Sequence, residues 1–224
     1  MVIGGGVAGL CAAFVAKERG HVVTLYEAGE KLGGNMRLVA YPPGKGDITN
    51  MIRSYIHRCQ KDGVKIVMNC EVTTELIKEE KPDSVIIATG SKTLILPIEG
   101  IDNPAIIHGS DLLDGKRAAG KKVLVVGGGM VGCETAAFLG EQEHDVTVIE
   151  FRDTVGADVI HEHRVYLMKD FEDYGIKEIT GAKVCKFYED GVEYETADGV
   201  RHESRGYDSV ILSMGFRNYN PLEE

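Results

Sequence analysis

Two short glycine-rich segments carry the residue types and spacing that best fit a chemical role. They are 4–9, Gly-Gly-Gly-Val-Ala-Gly, and 127–132, Gly-Gly-Gly-Met-Val-Gly. In such a loop the first glycine permits a tight turn, the second lets the backbone approach a pyrophosphate, and the third lets helix and strand pack closely. Amides at the start of the following helix then bind the phosphates. The glycines in these three positions are Gly4, Gly6 and Gly9 in the first loop, and Gly127, Gly129 and Gly132 in the second.

An acidic residue follows each loop at the same distance. Glu27 and Glu150 both stand 23 positions after the first glycine of their loop, at the end of an apolar segment. A carboxylate at this point accepts hydrogen bonds from the ribose hydroxyls of an adenosine. Because a carboxylate repels a 2′-phosphate, Glu150 also predicts that the second site prefers NAD to NADP, although the nearby Arg152 weakens that preference.

The elements that position these residues form an internal repeat. Segments 3–9 and 21–27 recur at 126–132 and 144–150, with an offset of 123, and 85–90 recurs more loosely at 210–215. Each copy has an apolar strand, the glycine loop, a helix rich in small residues and a second strand. Strands that alternate with helices predict a parallel, doubly wound sheet. The predicted strands are 1–3, 22–26, 122–126 and 145–149, and the predicted helices are 8–19 and 131–142.

The remaining segments predict further elements around the two copies. Helical spacing predicts a helix over 49–62 with Ile52, Tyr55, Ile56 and Cys59 on one face, and 64–68 is predicted to be a strand. Residues 92–119, rich in Pro, Gly and Asp, are expected to be crossover linkers. Segments 184–188 and 192–195 flank Asp190-Gly191 and, with a turn at Asp198-Gly199, predict an antiparallel meander. A second amphipathic helix is expected over 160–174.

Composition excludes several classes of function. The 224 residues carry a net charge of −10, which argues against nucleic acid or an anionic membrane as the main partner. No apolar run is long enough to span a membrane. The five cysteines are odd in number and widely spaced, as expected for reduced thiols in a cytoplasmic protein.

With these loops and acids, the chain resembles the flavoproteins that have two dinucleotide-binding domains. The resemblance implies that the first copy binds FAD, and that the second is inserted into it and binds NAD(P)H. It implies an FAD-binding domain over 1–104 and 213–224, a NAD-binding domain over 105–212, and a small antiparallel meander in each. It also implies cofactor contacts for Gly33, Gly34, Val72, Ala88, Thr89, Gly90, Met130, Val131, Glu134 and Gly215.

The resemblance is closest to one group within these flavoproteins. Segments 32–36, 40–45 and 128–136 are similar to the carboxy-terminal part of 2,4-dienoyl-CoA reductase, 2-enoate reductase and trimethylamine dehydrogenase. In that group a TIM barrel holds FMN, an iron–sulfur cluster bridges it to this module, and electrons run from NAD(P)H through FAD and the cluster to FMN. No two cysteines here are closer than 11 positions, so dithiol chemistry is not expected.

This sequence contains neither the barrel nor a cysteine run for a cluster. We therefore expect a fragment of a longer reductase, with weakened flavin affinity and no reduction of the parent substrate. The alternatives are a free-standing NADH oxidase or ferredoxin reductase-like protein, and a non-catalytic module that holds ADP. Two roles remain possible for Glu134: it contacts the nicotinamide, or it is an acid in the first turn of a helix, where the helix dipole favours it. Two interpretations also remain for Cys133: a small packed side chain, or a thiol whose pKa is lowered by its position at the start of a helix. No metal site is expected at His161 and His163.

Overall fold

A computed structural model describes residues 1–223, which divide into two compact units. The first comprises 1–92 together with the chain from 217 onward, and the second comprises 93–216 and is inserted into the first. The sequence placed these boundaries at 104/105 and 212/213. The difference at the first boundary arises because 93–104 pack with the second unit: Ile98 and Ile101 join its core, and Glu99 pairs with Lys186.

The first unit is built on a four-stranded parallel sheet of order β3-β2-β1-β4. Its elements in chain order are β1 Val2–Ile3, α1 Val7–Glu18, β2 Thr24–Tyr26, α2 Met36–Val39, α3 Ile48–Lys61, β3 Lys65–Val67, α4 Thr74–Glu80, β4 Ile86–Ile87 and β5 Ser91–Thr93.

Apolar faces of α1 and α3 form the core of this unit against the sheet. Leu10 and Phe14 of α1 are buried with Leu25 of β2. Ile52 and Cys59 are the buried residues of α3, which confirms the face predicted from the spacing. Tyr55 meets Phe14 edge to face, with ring centroids 5.2 Å apart. This packing holds the loop between β1 and α1 at the carboxyl end of the sheet.

The second unit has a five-stranded parallel sheet of order β6-β13-β7-β8-β9 and an antiparallel meander of order β10-β11-β12. Its elements are β6 Ile106–His108, α5 Gly109–Leu113, β7 Lys122–Val126, α6 Met130–Glu141, β8 Asp145–Ile149, α7 His161–Asp173, β9 Lys177–Ile179, β10 Lys183–Tyr188, β11 Gly191–Glu195, β12 Arg201–Ser204 and β13 Ser209–Leu212. A last strand, β14 Phe216–Asn218, pairs with β5 where the chain passes between the units.

The two parallel sheets repeat one topology, which confirms the predicted α/β fold with doubly wound, Rossmann-like units. The order β3-β2-β1-β4 corresponds strand for strand to β9-β8-β7-β13. The second sheet adds β6 beside β13, whereas β4 is an edge strand in the described part of the first. The exposures follow from this difference: Ile86 and Ile87 are 41% and 48% exposed, whereas Val210 and Ile211 are fully buried.

The prediction that 92–119 forms only linkers was wrong for 106–113. Ile106 and Ile107 pair with Val210 and Ile211 at the sheet edge, and α5 follows at once. A strand of three residues is too short to show a period, and the surrounding Pro, Gly and Asp residues concealed it. Within residues 1–223, no helix has the length and apolar character needed to cross a membrane.

The hairpin predicted at Asp190-Gly191 is present, but its glycine has a different role. Tyr188 pairs with Gly191, so the turn consists of Glu189 and Asp190, and Gly191 lies within β11. A methyl group on Gly191 would overlap the carbonyl oxygen of Ser204 in β12. The glycine therefore permits the close approach of a third strand.

Candidate dinucleotide-binding sites

The first glycine loop turns tightly between β1 and α1. Gly4 has a φ of +102°, and a methyl group there would overlap the carbonyl oxygen of Ala88. A methyl group on Gly9 would overlap the carbonyl oxygen of Gly4, so the helix and the loop touch through bare backbone. Gly6 differs, because the nearest atom to its added methyl group is the Cα of Gly34 at 3.9 Å. The first and third glycines thus shape the loop, and the second leaves room for a phosphate.

Glu27 lies at the end of β2 and is tied to this loop. Its Oε2 accepts a 2.7 Å hydrogen bond from the amide of Gly5, and its Oε1 accepts one of 2.7 Å from the amide of Gly29. Two backbone donors therefore fix the carboxylate, and each oxygen keeps a further lone pair. The geometry suits the predicted contact with a ribose.

Gly33 and Gly34 lie directly against the first loop. The amide of Gly33 donates to the carbonyl oxygen of Gly5 at 2.8 Å. Both glycines have positive φ values, +108° and +55°, and a methyl group on Gly34 would stand 3.0 Å from the Cα of Gly6. The loop and this glycine pair therefore form one cradle of bare backbone, which fits the pyrophosphate of a dinucleotide.

Two further segments predicted to contact a cofactor flank this cradle. The amide of Ala88 donates to the carbonyl oxygen of Ile3 at 2.7 Å, beside Gly4. The Thr89 hydroxyl donates to the carbonyl oxygen of Tyr219, and the Tyr219 amide donates to the carbonyl oxygen of Gly90 at 3.0 Å. The side chain of Val72 is buried, packed in a small cluster with β1 and β2.

Sequence reasoning missed the part that Tyr219 plays here. Its ring lies 3.4 Å below the ammonium group of Lys92, and its backbone brackets 89–90. The contact joins residues about 130 positions apart, so no local sequence pattern could predict it. The returning chain therefore braces the strand end next to the first glycine loop.

The second loop repeats the geometry of the first. Gly127 has a φ of +103°, and its added methyl group would stand 2.5 Å from the carbonyl oxygen of Ser213. A methyl group on Gly132 would overlap the carbonyl oxygen of Gly127. Glu150 accepts a 2.6 Å hydrogen bond from Gly128 and one of 2.9 Å from Arg152, both from backbone amides. The same tight loop and the same fixed carboxylate thus occur twice in the chain.

Met130 and Val131, which are also predicted to contact a cofactor, lie at the start of α6. The amide of Met130 donates to Oδ1 of Asp158 at 2.9 Å, while its side chain is 42% exposed. Val131 accepts the hydroxyl proton of Thr135 through its carbonyl oxygen. Gly215 has a φ of +100° with open space around it, and its carbonyl oxygen accepts the amide of Leu94.

Glu134 is buried in the first turns of α6, and a histidine from α7 meets it. Nε2 of His163 lies 3.1 Å from Oε1 of Glu134. Only 7% of the Glu134 side chain is exposed, against 31% for His163. The sequence predicted no role for His163, but the structure makes it a partner of this carboxylate. Within residues 1–223, no cluster of His, Cys, Asp and Glu could hold a metal ion.

Cys133 is a packed residue and not an activated thiol. Burial raises its pKa to about 12, and its thiol donates to the carbonyl oxygen of Gly128 at 3.2 Å. Desolvation therefore outweighs the favourable position near a helix start. All five cysteines are free, so none forms a disulfide with another.

An open cleft of about 470 Å³ lies beside Glu150 in the second unit. Its lining includes Phe151, which is 69% exposed, the cations Arg152 and Lys183, and the carboxylates Asp153 and Glu195. The flat ring of Phe151 can stack on an adenine. Sequence analysis noted Arg152 but missed Phe151 and Lys183, since Lys183 comes from the distant meander.

Comparison with known proteins agrees with this geometry. The family model described as pyridine nucleotide-disulphide oxidoreductase matches residues 1–224. A cinnamate reductase from Clostridium sporogenes is 34% identical over 99% of this chain and 33% of its own length. An NADH oxidase from Thermoanaerobacter brockii is 34% identical over 96% of this chain and 34% of its own length.

Among solved structures, a 2-naphthoyl-CoA reductase in complex with 2-naphthoyl-CoA matches with a TM-score of 0.89 and 34% identity, over 96% of this chain and 33% of that one. The chain therefore spans about one third of the length of these relatives. These matches confirm the resemblance to the enoate reductase group. The chain belongs to the pyridine nucleotide-disulphide oxidoreductase family, a family of flavin-dependent NAD(P)H oxidoreductases.

Proposed function

We propose that this chain is the electron-input module of a flavin-dependent reductase. The second unit binds NADH, and the first binds FAD. The observation that carries the proposal is the repeated glycine loop, which in each copy fixes a carboxylate through the loop's own amide. NADH donates a hydride and FAD accepts it.

The chain's own groups bind and orient the cofactors under this proposal. The helix starts at α1 and α6 attract the phosphates, while Glu27 and Glu150 hold the adenosine riboses. Glu134 and His163 form a fixed polar pair one turn inside α6, near the expected nicotinamide. These residues supply binding and orientation, and the hydride chemistry belongs to the cofactors.

We propose NAD as the preferred nucleotide at the second site. The Glu150 carboxylate is fixed by two amides and cannot easily turn away from a 2′-phosphate. Arg152 and Lys183 in the adjacent cleft act in the opposite direction. Binding titrations with NADH and NADPH measure the balance, and NADPH binding at least as tightly as NADH contradicts the preference.

We further propose that the module passes its electrons to a domain outside this sequence, of the enoate or dienoyl reductase type, which would carry FMN and an iron–sulfur cluster. Two observations support this: the relatives are about three times as long, and β4 presents exposed Ile86 and Ile87 at a sheet edge whose counterpart in the second unit is covered by β6. Under this proposal the separate chain binds flavin weakly and does not reduce the parent substrate. Its free thiols fit a cytoplasmic location.

A spectrum of the purified chain with FAD added tests the proposal. Absorbance at about 450 nm that bleaches when NADH is added supports an FAD- and NADH-binding module. NADH oxidation with oxygen as the sole acceptor at a high turnover favours a free-standing oxidase. Tightly bound ADP, with no flavin uptake even at high FAD concentration, favours the structural role and contradicts the proposal.

A further inference from the structure

The loop that follows the ribose-binding acid repeats in the two units. Residues 27–35 correspond to 150–158 at the same offset of 123 that relates the glycine loops. The amide of Gly33 donates to the carbonyl oxygen of Gly5 at 2.8 Å, and the amide of Gly156 donates to that of Gly128 at 2.7 Å. The two loops therefore sit on their glycine segments in the same way.

The side chains at the equivalent ends of these loops differ in charge and position. Asn35 of the first unit is neutral, and its amide group donates to the carbonyl oxygen of Ser91 at 3.1 Å. Asp158 takes the corresponding position in the second unit. Its Oδ1 accepts the first amide of α6, from Met130, at 2.9 Å.

This carboxylate lies over the glycine that a pyrophosphate must approach. A methyl group on Gly129 would stand 3.2 Å from one Asp158 oxygen and 3.4 Å from the other, whereas one on the equivalent Gly6 would meet only the Cα of Gly34, at 3.9 Å. A negative group on the first amide of a helix binds there for the same electrostatic reason as a phosphate. Asp158 therefore occupies the place where the dinucleotide phosphate is expected.

We propose that Asp158 competes with the pyrophosphate of NADH for the start of α6 and so lowers the affinity of the second site. The inference rests on the proposed function, because it presumes a dinucleotide at this loop. The loop is held at 154–156, where Val155 is fully buried and Arg164 donates to Thr154 and to the carbonyl oxygen of Val155. Asp158 itself is exposed, so its side chain can swing into solvent when NADH binds.

The matched variant is Asp158→Asn, which gives the second loop the residue found in the first. Asparagine keeps the size and an oxygen that can accept from Met130, but it removes the charge. At low ionic strength we expect the dissociation constants of NADH and of ADP-ribose to fall by about five-fold. The dissociation constant of adenosine, which has no phosphate, should not change. Glu162→Gln, an exposed acid in the first turn of α7, controls for the loss of one negative charge.

Isothermal titration of the intact chain distinguishes the outcomes, with thermal unfolding showing that each variant is folded. Tighter binding of both phosphate ligands by Asp158→Asn alone supports the inference. Unchanged or weaker binding of NADH by a folded Asp158→Asn overturns it and leaves the NADH site standing. If neither the parent chain nor the variant binds NADH or ADP-ribose, the proposed function fails and the inference falls with it.

Discussion

The backbone amide of Gly128 donates a 2.6 Å hydrogen bond to Oε2 of Glu150, so the glycine loop and the acid that we propose to bind a ribose are tied together. The pair Gly5 and Glu27 repeats the contact at 2.7 Å. A carboxylate that accepts backbone amides makes charge-assisted hydrogen bonds, which are stronger than neutral ones. The acid therefore supports the loop as well as preparing it for a ligand.

Replacing Glu150 with alanine is expected to affect both stability and binding. Loss of the two amide contacts lowers the free energy of unfolding by about 1–3 kcal/mol, and loss of the ribose acceptor weakens NADH binding by about ten-fold or more. Urea unfolding and NADH titration measure the two effects. Glu189→Gln, in the exposed hairpin turn, is the control. A Glu150→Ala chain with the same stability and the same NADH affinity as this control contradicts the proposed role of Glu150.

Alanine substitutions at three glycines of the first unit are expected to have different effects on stability and on flavin affinity. Gly9→Ala places a methyl group on the carbonyl oxygen of Gly4, so it should destabilise the unit by about 3 kcal/mol or more. Gly6→Ala adds a methyl group that meets only the Cα of Gly34, at an ordinary contact distance of 3.9 Å, so it should unfold like the parent chain while losing flavin affinity. Gly46→Ala, whose added methyl group would have no atom within 4 Å, should change neither property.

Thermal unfolding and FAD titration check this set of variants. A stable Gly9→Ala chain would show that the helix can move away from the loop without cost. A Gly6→Ala chain with normal FAD affinity would contradict a pyrophosphate at this glycine.

Removing the imidazole of His163 is expected to destabilise the second unit. Glu134 is buried, and loss of a hydrogen-bond partner from a buried carboxylate is costly. Because His163 is partly exposed and water can reach the site, we expect about 1 kcal/mol for His163→Ala. His163→Gln, which can still donate to the carboxylate, should recover most of the loss. Urea unfolding of both variants makes the comparison, and equal losses argue against the hydrogen bond.

The buried thiol of Cys133 predicts a dependence of stability on alkaline pH. Burial raises its pKa from 9.0 to about 12, so the folded chain retains the proton after the unfolded chain has lost it. The contribution of this thiol is complete below about pH 9 and is lost as the pH rises toward about 12. The limiting slope is about 1.4 kcal/mol per pH unit.

Cys133→Ala should show a correspondingly smaller loss of stability between about pH 9 and 11. Urea unfolding of parent and variant across this range gives the difference, in which other titrating groups cancel. Parallel pH curves would exclude the buried thiol as the cause. Alkylation with iodoacetamide should also modify Cys133 more slowly than the half-buried Cys70.

The sequence by itself determined the repeated strand–loop–helix units, their glycines and their acids. Strand and helix periods, tight turns at Gly4 and Gly127, and the fixed distance to Glu27 and Glu150 are all local properties of the chain. They follow from backbone sterics and burial of one face, which neighbouring residues impose on one another. The meander was also visible in the sequence, because its turns lie beside its strands.

Only the tertiary structure decided which distant residues meet at the sites. In the folded chain β6 joins the second sheet and Tyr219 contacts 89–90. His163 contacts Glu134, and Asp158 accepts the first amide of α6. The tertiary structure also decided between the two interpretations of Cys133, because burial raises the pKa of the thiol although the start of a helix favours a thiolate. Such contacts depend on the packing of elements far apart in the chain, and desolvation depends on everything that surrounds a group. Local spacing contains neither kind of information.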